Sequence, residues 1–376
     1  MCRIYKCRRF SCPKHHLLVP YLQYIMRAAF ATALVSAAVF GVSAAPGLSL
    51  SIVTPSSVAD VENLSVTAIV KNTGTETLKL LKDPRGVLSS DKTHTFNVAN
   101  EKGSPEFTGM FVKYSPDHVV KSNNAADFAI LAPGQTYELT HSLAGVYNFT
   151  NTGAGEFKID ASNVFQYVDA SGKLATVEAS TQSKKVALSG SLVSTRGLPK
   201  IESRSLSKRV SYVGCSSTRQ SQIATAVTSA NKYVSDATSY LNRISSGTTR
   251  YTTWFGAYTS SRASTVRSHF SAIGTDASST TYDCSTCTSS AFAYVYANQP
   301  GRVYLCSAFW SAPNTGTDSK AGTIVHEQSH FTVNGGTQDI VYGQSGAKSL
   351  AISNPAQAIQ NADSHEYFAE NNPAQS

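Results

Sequence analysis

His326-Glu327-Gln328-Ser329-His330 and, after five intervening residues, Gly336-Thr337-Gln338-Asp339-Ile340-Val341-Tyr342-Gly343 decide the reading of the C-terminal half of this chain. His326 and His330 are four apart. On an α-helix that spacing puts both imidazoles on one face, one turn apart, able to grip one ion. Ile324 and Val325 suit a buried helix over about Gly322–Phe331. Glu327, beside the first histidine, is oriented to take a proton from water without itself ligating. Gly335-Gly336 can end the helix and turn the chain back, so that Asp339 reaches the same ion. Tyr342 follows by three, where a phenol can donate to a developing oxyanion. A hydrolytic zinc needs three protein ligands and one open position, which this set can provide. Two histidines and a carboxylate suit zinc, although donor preference alone also admits cobalt or copper.

Working outward, Phe292–Tyr296 and Arg302–Cys306 flank Gln299-Pro300-Gly301, a hairpin signal. A helix capped by Ser216 or Ser217 is expected from Ile223, Val227, Ala230, Val234, Ala237 and Leu241, which recur at helical spacing. A second helix is expected from about Ser260 to Ile273. Two more are expected over about Gly343–Ile352 and Pro355–Glu370, the latter opened by Asn354-Pro355. Cys215, Cys284, Cys287 and Cys306 are an even set in this half and read as two disulfides. Three pairings are open.

Residues 46–200 have another character. Leu48–Val53 and Leu64–Val70 alternate apolar and polar as half-buried strands do, and Asn72-Thr73-Gly74 and Pro133-Gly134 supply turns. A cysteine-free β-sandwich is expected. Asn63-Leu64-Ser65 and Asn148-Phe149-Thr150 are glycosylation sequons. Between the halves stands Ser207-Lys208-Arg209. A dibasic pair in a polar linker is what secretory processing proteases cut, so cleavage after Arg209 is expected. That makes 46–209 a propeptide and 210–376 the mature domain. Without a cysteine, the propeptide cannot latch a metal through a thiol; it can cover a cleft or assist folding.

Met26-Arg27, the apolar run Ala28–Val42 and Ser43-Ala44-Ala45 form the three parts of an export signal. Residues 1–45 are therefore read as a signal region with its true start at Met26. The run is too short to span a bilayer as a helix. The protein should be secreted and free of the membrane once the leader is removed. The formal charge of +8 does not mark a nucleic-acid binder. Val210–Ser376 carries nine Lys/Arg and nine Asp/Glu, whereas the residues before Ala45 carry six Lys/Arg and no acid.

The two opening motifs, at their separation, resemble those of the aspzincin (deuterolysin) family of fungal zinc metallopeptidases. The resemblance covers about Val210–Ser376. It implies His326, His330 and Asp339 as ligands of one zinc ion, Glu327 as catalytic base and Tyr342 as transition-state stabiliser. Tyr251–Gly256, Phe292–Tyr296 and Asn361–Pro373 further resemble the peptidyl-Lys branch, whose members cut on the amino side of lysine. In that branch the lysine pocket is acidic, and Asp363 and Glu366 hold the matching positions. The residues agree: at i and i+3 on one helix these carboxylates share a face. A compact lysine ammonium would relieve their repulsion better than a forked guanidinium.

The expected fold is α+β. It comprises a mainly helical zincin-type domain with a small hairpin or sheet, preceded by the β-sandwich-like propeptide. The expected partners are lysine-bearing proteins and peptides, and the chain's own propeptide within a monomer. Nucleic acid is not among them. Tyr367 and Phe368 read as core and His365 as a surface residue. Three rival readings stand beside this one: a broad-specificity neutral protease of the same family, a non-catalytic secreted binding protein with a degenerate zincin domain, and, if Lys208-Arg209 is not cut, a cell-surface adhesion role for the β-half.

Overall fold

The computed structural model describes residues 46–194 and 209–376. The expected leader with Met26, and Lys208 of the dibasic pair, lie outside the described residues. Among the described residues no helix is long and apolar enough to cross a membrane.

Alternation in the first half produces two large sheets, beside a two-stranded pairing of Glu106–Phe107 with Tyr147–Asn148. Seven strands run in the order Phe128–Leu131, Leu78–Leu81, Val164–Val168, Leu174–Ser180, Leu48–Val53, Ser65–Asn72 and Thr136–Ser142. Four more run Ser57–Ala59, Lys184–Ser189, Gly155–Ala161 and Phe96–Ala99. Leu50, Ile52, Val66 and Val70 from the first sheet share one core with Phe96, Phe157, Ile159 and Leu188 from the second. The period of two along each strand supplies one apolar face per sheet, and facing sheets bury both.

In the second half the long helix Ser217–Leu241 is capped by Ser216 Oγ, which accepts from the Arg219 amide. All six of its expected apolar positions are buried. Burying each Ile, Val or Leu contributes about 1.5–3 kcal/mol, and this stripe anchors the helix against the Lys320–His330 helix and the helix Ser260–Ile273. The disulfides are Cys215–Cys284 and Cys287–Cys306. The first ties the start of the long helix to the end of the strand Thr281–Asp283.

In this half the strands Ser211–Val213 and Thr281–Asp283 and the helices Thr249–Phe255 and Ser307–Ser311 were not read from the sequence. Their runs are too short for a periodic signal. The expected helix Pro355–Glu370 is two helices, Pro355–Ala358 and Ala362–Glu370. The break has a tertiary cause. Gln360 and Asn361 turn their backbone and side chain to the Gln338–Val341 loop: the Gln338 amide donates to the Gln360 carbonyl at 2.7 Å, and the Ile340 and Val341 amides donate to Asn361 Oδ1 at 3.0 and 3.1 Å.

The described residues form one unit in which the halves share a sheet. Its five strands run in the order Ser211–Val213, Thr281–Asp283, Arg302–Leu305, Ala293–Val295 and Phe111–Lys113. The hairpin read from Gln299-Pro300-Gly301 supplies the Ala293 and Arg302 strands, paired antiparallel. The fifth strand comes from the N-terminal half and adds antiparallel to the hairpin's open edge, with Ala293 opposite Lys113 and Val295 opposite Phe111. The chain is thus mixed α and β in both composition and contacts.

Candidate active site

The helix Lys320–His330 is buried along its whole length. Its start is fixed by Ser319, whose Oγ accepts from the Gly322 amide at 2.9 Å. Ser319 donates to Glu370 Oε1 from both its amide (2.9 Å) and its hydroxyl (2.8 Å). The helix leaves Phe331 through Asn334-Gly335-Gly336, where Gly336 adopts φ of 58°, and the Thr337 amide returns to the Ser329 carbonyl. A residue with a Cβ would resist that left-handed turn. The turn carries Asp339 back over the two histidines.

His326 Nε2 and His330 Nε2 stand 3.2 and 3.3 Å from the same Asp339 Oδ1. All three atoms are buried without hydrogen-bond partners. Three orphaned donor atoms converging within 4.8 Å fit a divalent ion with two imidazoles and one carboxylate. His330 Nδ1 donates to the Thr337 carbonyl at 2.8 Å, which leaves its Nε2 lone pair aimed at Asp339 Oδ1. Asp339 is held by its own backbone: its carbonyl accepts from Arg85 Nη1 at 2.8 Å.

Glu327 is fully buried. Burial pushes its carboxyl well above the usual carboxylate range, against the pull of the His326 ring. A carboxyl tuned upward is suited to taking and returning a proton near neutral pH. Its Oε1 accepts from the Lys113 amide at 3.1 Å. Tyr342 lies at the start of the helix Gly343–Ser353, its hydroxyl buried without a partner and its ring 4.5 Å from the Arg85 guanidinium.

On the other side of His326 is an acidic pocket, and it holds a lysine. Lys113 Nζ is 2.7 Å from Glu366 Oε2, 3.0 Å from Asp318 Oδ1 and 3.2 Å from Asp363 Oδ1. It also meets Tyr367 Oη at 3.4 Å. The Lys113 side chain has no exposed surface. Burial disfavours its ammonium, but the three carboxylates outweigh that and raise its pKa well above the ordinary lysine value. Asp363 and Glu366 also face His326 Nδ1, at 3.0 and 3.2 Å. These are ion-pair distances without aligned hydrogen-bond geometry.

A family model described as lysine-specific metallo-endopeptidase, aspzincin M35, matches residues 240–370. A peptidyl-Lys metalloendopeptidase of Armillaria mellea is 51% identical over 89% of this chain and 95% of its own length. The chain belongs to the aspzincin family. A peptidyl-Lys metalloendopeptidase of Pleurotus ostreatus is 60% identical over 43% of this aspzincin and 98% of its own length. An extracellular protease of Aeromonas hydrophila is 35% identical over 84% of the chain and 90% of its own length.

The structure brings His326, His330, Asp339, Glu327, Asp363 and Glu366 of this aspzincin together, with Tyr342 three residues past Asp339. It also corrects two readings. His365 is fully buried: its Nδ1 is 2.9 Å from the Asn361 carbonyl and its Nε2 is 3.0 Å from His269 Nδ1. Phe255 and Phe270 pack against the same ring, so the helix is enclosed on the side taken for its surface. Tyr367 is core, as expected, but its hydroxyl also lines the pocket and donates to Asp318 Oδ1 at 2.8 Å.

Two acidic residues of this region were missed. Asp318, at a left-handed φ of 50°, stands in an ordinary polar loop before a helix cap, and nothing in the sequence separates it from a capping acid. Glu370 had a usable signal, since Asp363, Glu366 and Glu370 follow the i, i+3, i+7 spacing of one face. Arg209 of the dibasic pair is exposed.

Proposed function

We propose that this aspzincin is an exported zinc endopeptidase that hydrolyses peptide bonds on the amino side of lysine. His326, His330 and Asp339 would hold one zinc ion per catalytic domain. When bound, zinc supplies Lewis acidity and makes water acidic enough to attack at neutral pH. Glu327 takes the proton from water and passes it to the leaving nitrogen. Tyr342 donates to the oxyanion from a hydroxyl that has no competing partner. Asp363 and Glu366, with Asp318 and Tyr367, take the ammonium of the residue that follows the cut.

One observation carries this reading: a buried lysine ammonium sits on those carboxylates while its own backbone amide meets Glu327. Lysine is almost never fully buried unless paired, so a pocket that accepts one is built for that charge. The mature enzyme would be residues 210–376, released from 46–209 by cleavage after Arg209. The Pleurotus ostreatus relative, matched over only 43% of this chain, supports that division. The name of the Aeromonas hydrophila relative supports export.

Digestion of a denatured protein by the processed enzyme, with the cut sites mapped by mass spectrometry, tests the reading. New N-termini should be lysine. Cuts distributed before apolar residues would favour a broad neutral protease instead. Absence of any cuts in zinc-loaded enzyme would favour a binding protein.

A further inference from the structure

We propose that the Val112–Lys113 peptide bond is this chain's own first substrate, held across the catalytic centre by Lys113 and cut there. The inference rests on the lysine reading given above and deepens it. Four observations meet at this bond. Phe111–Lys113 adds antiparallel to the Ala293–Val295 edge, and the Phe292 amide donates to the Lys113 carbonyl at 2.9 Å. That is how an extended peptide docks by strand addition. Second, the Lys113 side chain fills the acidic pocket, with Glu366 Oε2 at 2.7 Å. Third, the nitrogen of the bond donates to Glu327 Oε1 at 3.1 Å. Fourth, the residue before the bond donates its amide to Asp339 Oδ2 at 2.7 Å, and the Phe111 ring stacks on His330 at 4.6 Å.

A lysine that merely docked one half on the other would need only its ammonium. Here the backbone is also in register, with one side of the bond on the ligand carboxylate and the nitrogen on the base. A cavity of about 870 Å³ opens onto Asp339 and Tyr342 beside the strand, so the centre is not sealed. The reaction is a hydrolysis. The water oxygen adds to the Val112 carbonyl carbon and the C–N bond breaks. Glu327 carries the water's proton to the Lys113 nitrogen. Val112 leaves as a carboxylate and Lys113 as a new amino terminus. Until the cut, the strand excludes every other lysine from the cleft.

The test uses the full chain. Zinc-loaded protein should yield a fragment that begins Lys113-Tyr114-Ser115-Pro116, and neither Glu327→Gln nor Lys113→Ala should yield it. In the Glu327→Gln chain without added metal, amine acylation read residue by residue should label Lys113 at least tenfold more slowly than the exposed Lys102 and Lys121. Labelling at equal rates would overturn the proposal. So would an unsubstituted chain that is never cut at this bond while Lys113→Ala, or Lys113→Arg where the alanine variant is not secreted, cleaves an added lysine peptide. If no form cleaves any lysine peptide although Lys113 is protected, the lysine function itself falls and takes this inference with it.

Discussion

His326 Nδ1 stands 3.0 Å from Asp363 Oδ1, and the same oxygen stands 3.2 Å from the Lys113 ammonium. One carboxylate oxygen thus serves the back of a candidate ligand and the wall of the lysine pocket. A carboxylate this close behind a ligating imidazole raises its basicity. Specificity and metal binding are therefore coupled through Asp363 but not through Asp318, whose contacts are Lys113, Ser115 and Tyr367.

Asp363→Asn should weaken zinc binding about 10–100-fold and reduce the preference for lysine as well. Asp318→Asn should reduce that preference while leaving zinc affinity unchanged. Competition against a chelator gives the first quantity, and relative cleavage of matched lysine and alanine peptides gives the second. Equal zinc affinities in the two variants would remove the coupling.

Glu327→Gln keeps the shape of the side chain and removes its basicity. Turnover of a lysine peptide should fall by about 10²–10⁴-fold, with zinc content held at the unsubstituted level. A loss of metal in step with activity would make Glu327 a ligand or a brace rather than the base.

The chemistry was more legible than its setting. HExxH is readable from spacing on one helix and the Asp339 loop from its distance to that helix, whereas the Asp363/Glu366 pair shares a helix face that only the resemblance to the peptidyl-Lys branch separates from a solvated one. The break at Gln360-Asn361 was not legible, because the residues themselves permit helix and only their bonds to Gln338–Val341 end it. Burial of His365 depends on Phe255 and Phe270, which come from distant helices. The seat of Lys113 was hidden for the same reason: a three-residue strand, buried at every position, says nothing of which sheet it will join.

Gly322 should not tolerate alanine, although alanine is ordinarily the better helix former by about 1 kcal/mol. A Cβ there would lie 2.1 Å from Glu370 Oε1, the atom that fastens Ser319. Gly322→Ala should destabilise the domain by about 1–3 kcal/mol, read as a lower Tm. Paired with Glu370→Ala, which removes the clashing carboxylate, the second loss should be less than additive. Strict additivity would show that the two positions do not meet.

Acid should destabilise this domain through His365. Burial, then the neighbouring His269, holds its imidazole down at about 3, far below the ordinary histidine value of 6.5. The unfolded chain therefore binds a proton near pH 6.5 that the folded chain refuses until about pH 3. Stability contributed by the neutral ring is present above pH 6.5 and is lost as the pH falls through that window. The loss can reach about 1.4 kcal/mol for each pH unit. Thermal melts between pH 7.5 and 4.5 should show a falling Tm in the unsubstituted protein and a shallower slope in His365→Gln, which cannot titrate. The difference in slope between the two proteins reports the buried His269–His365 pair. Parallel slopes would mean that the buried pair accepts its proton without cost.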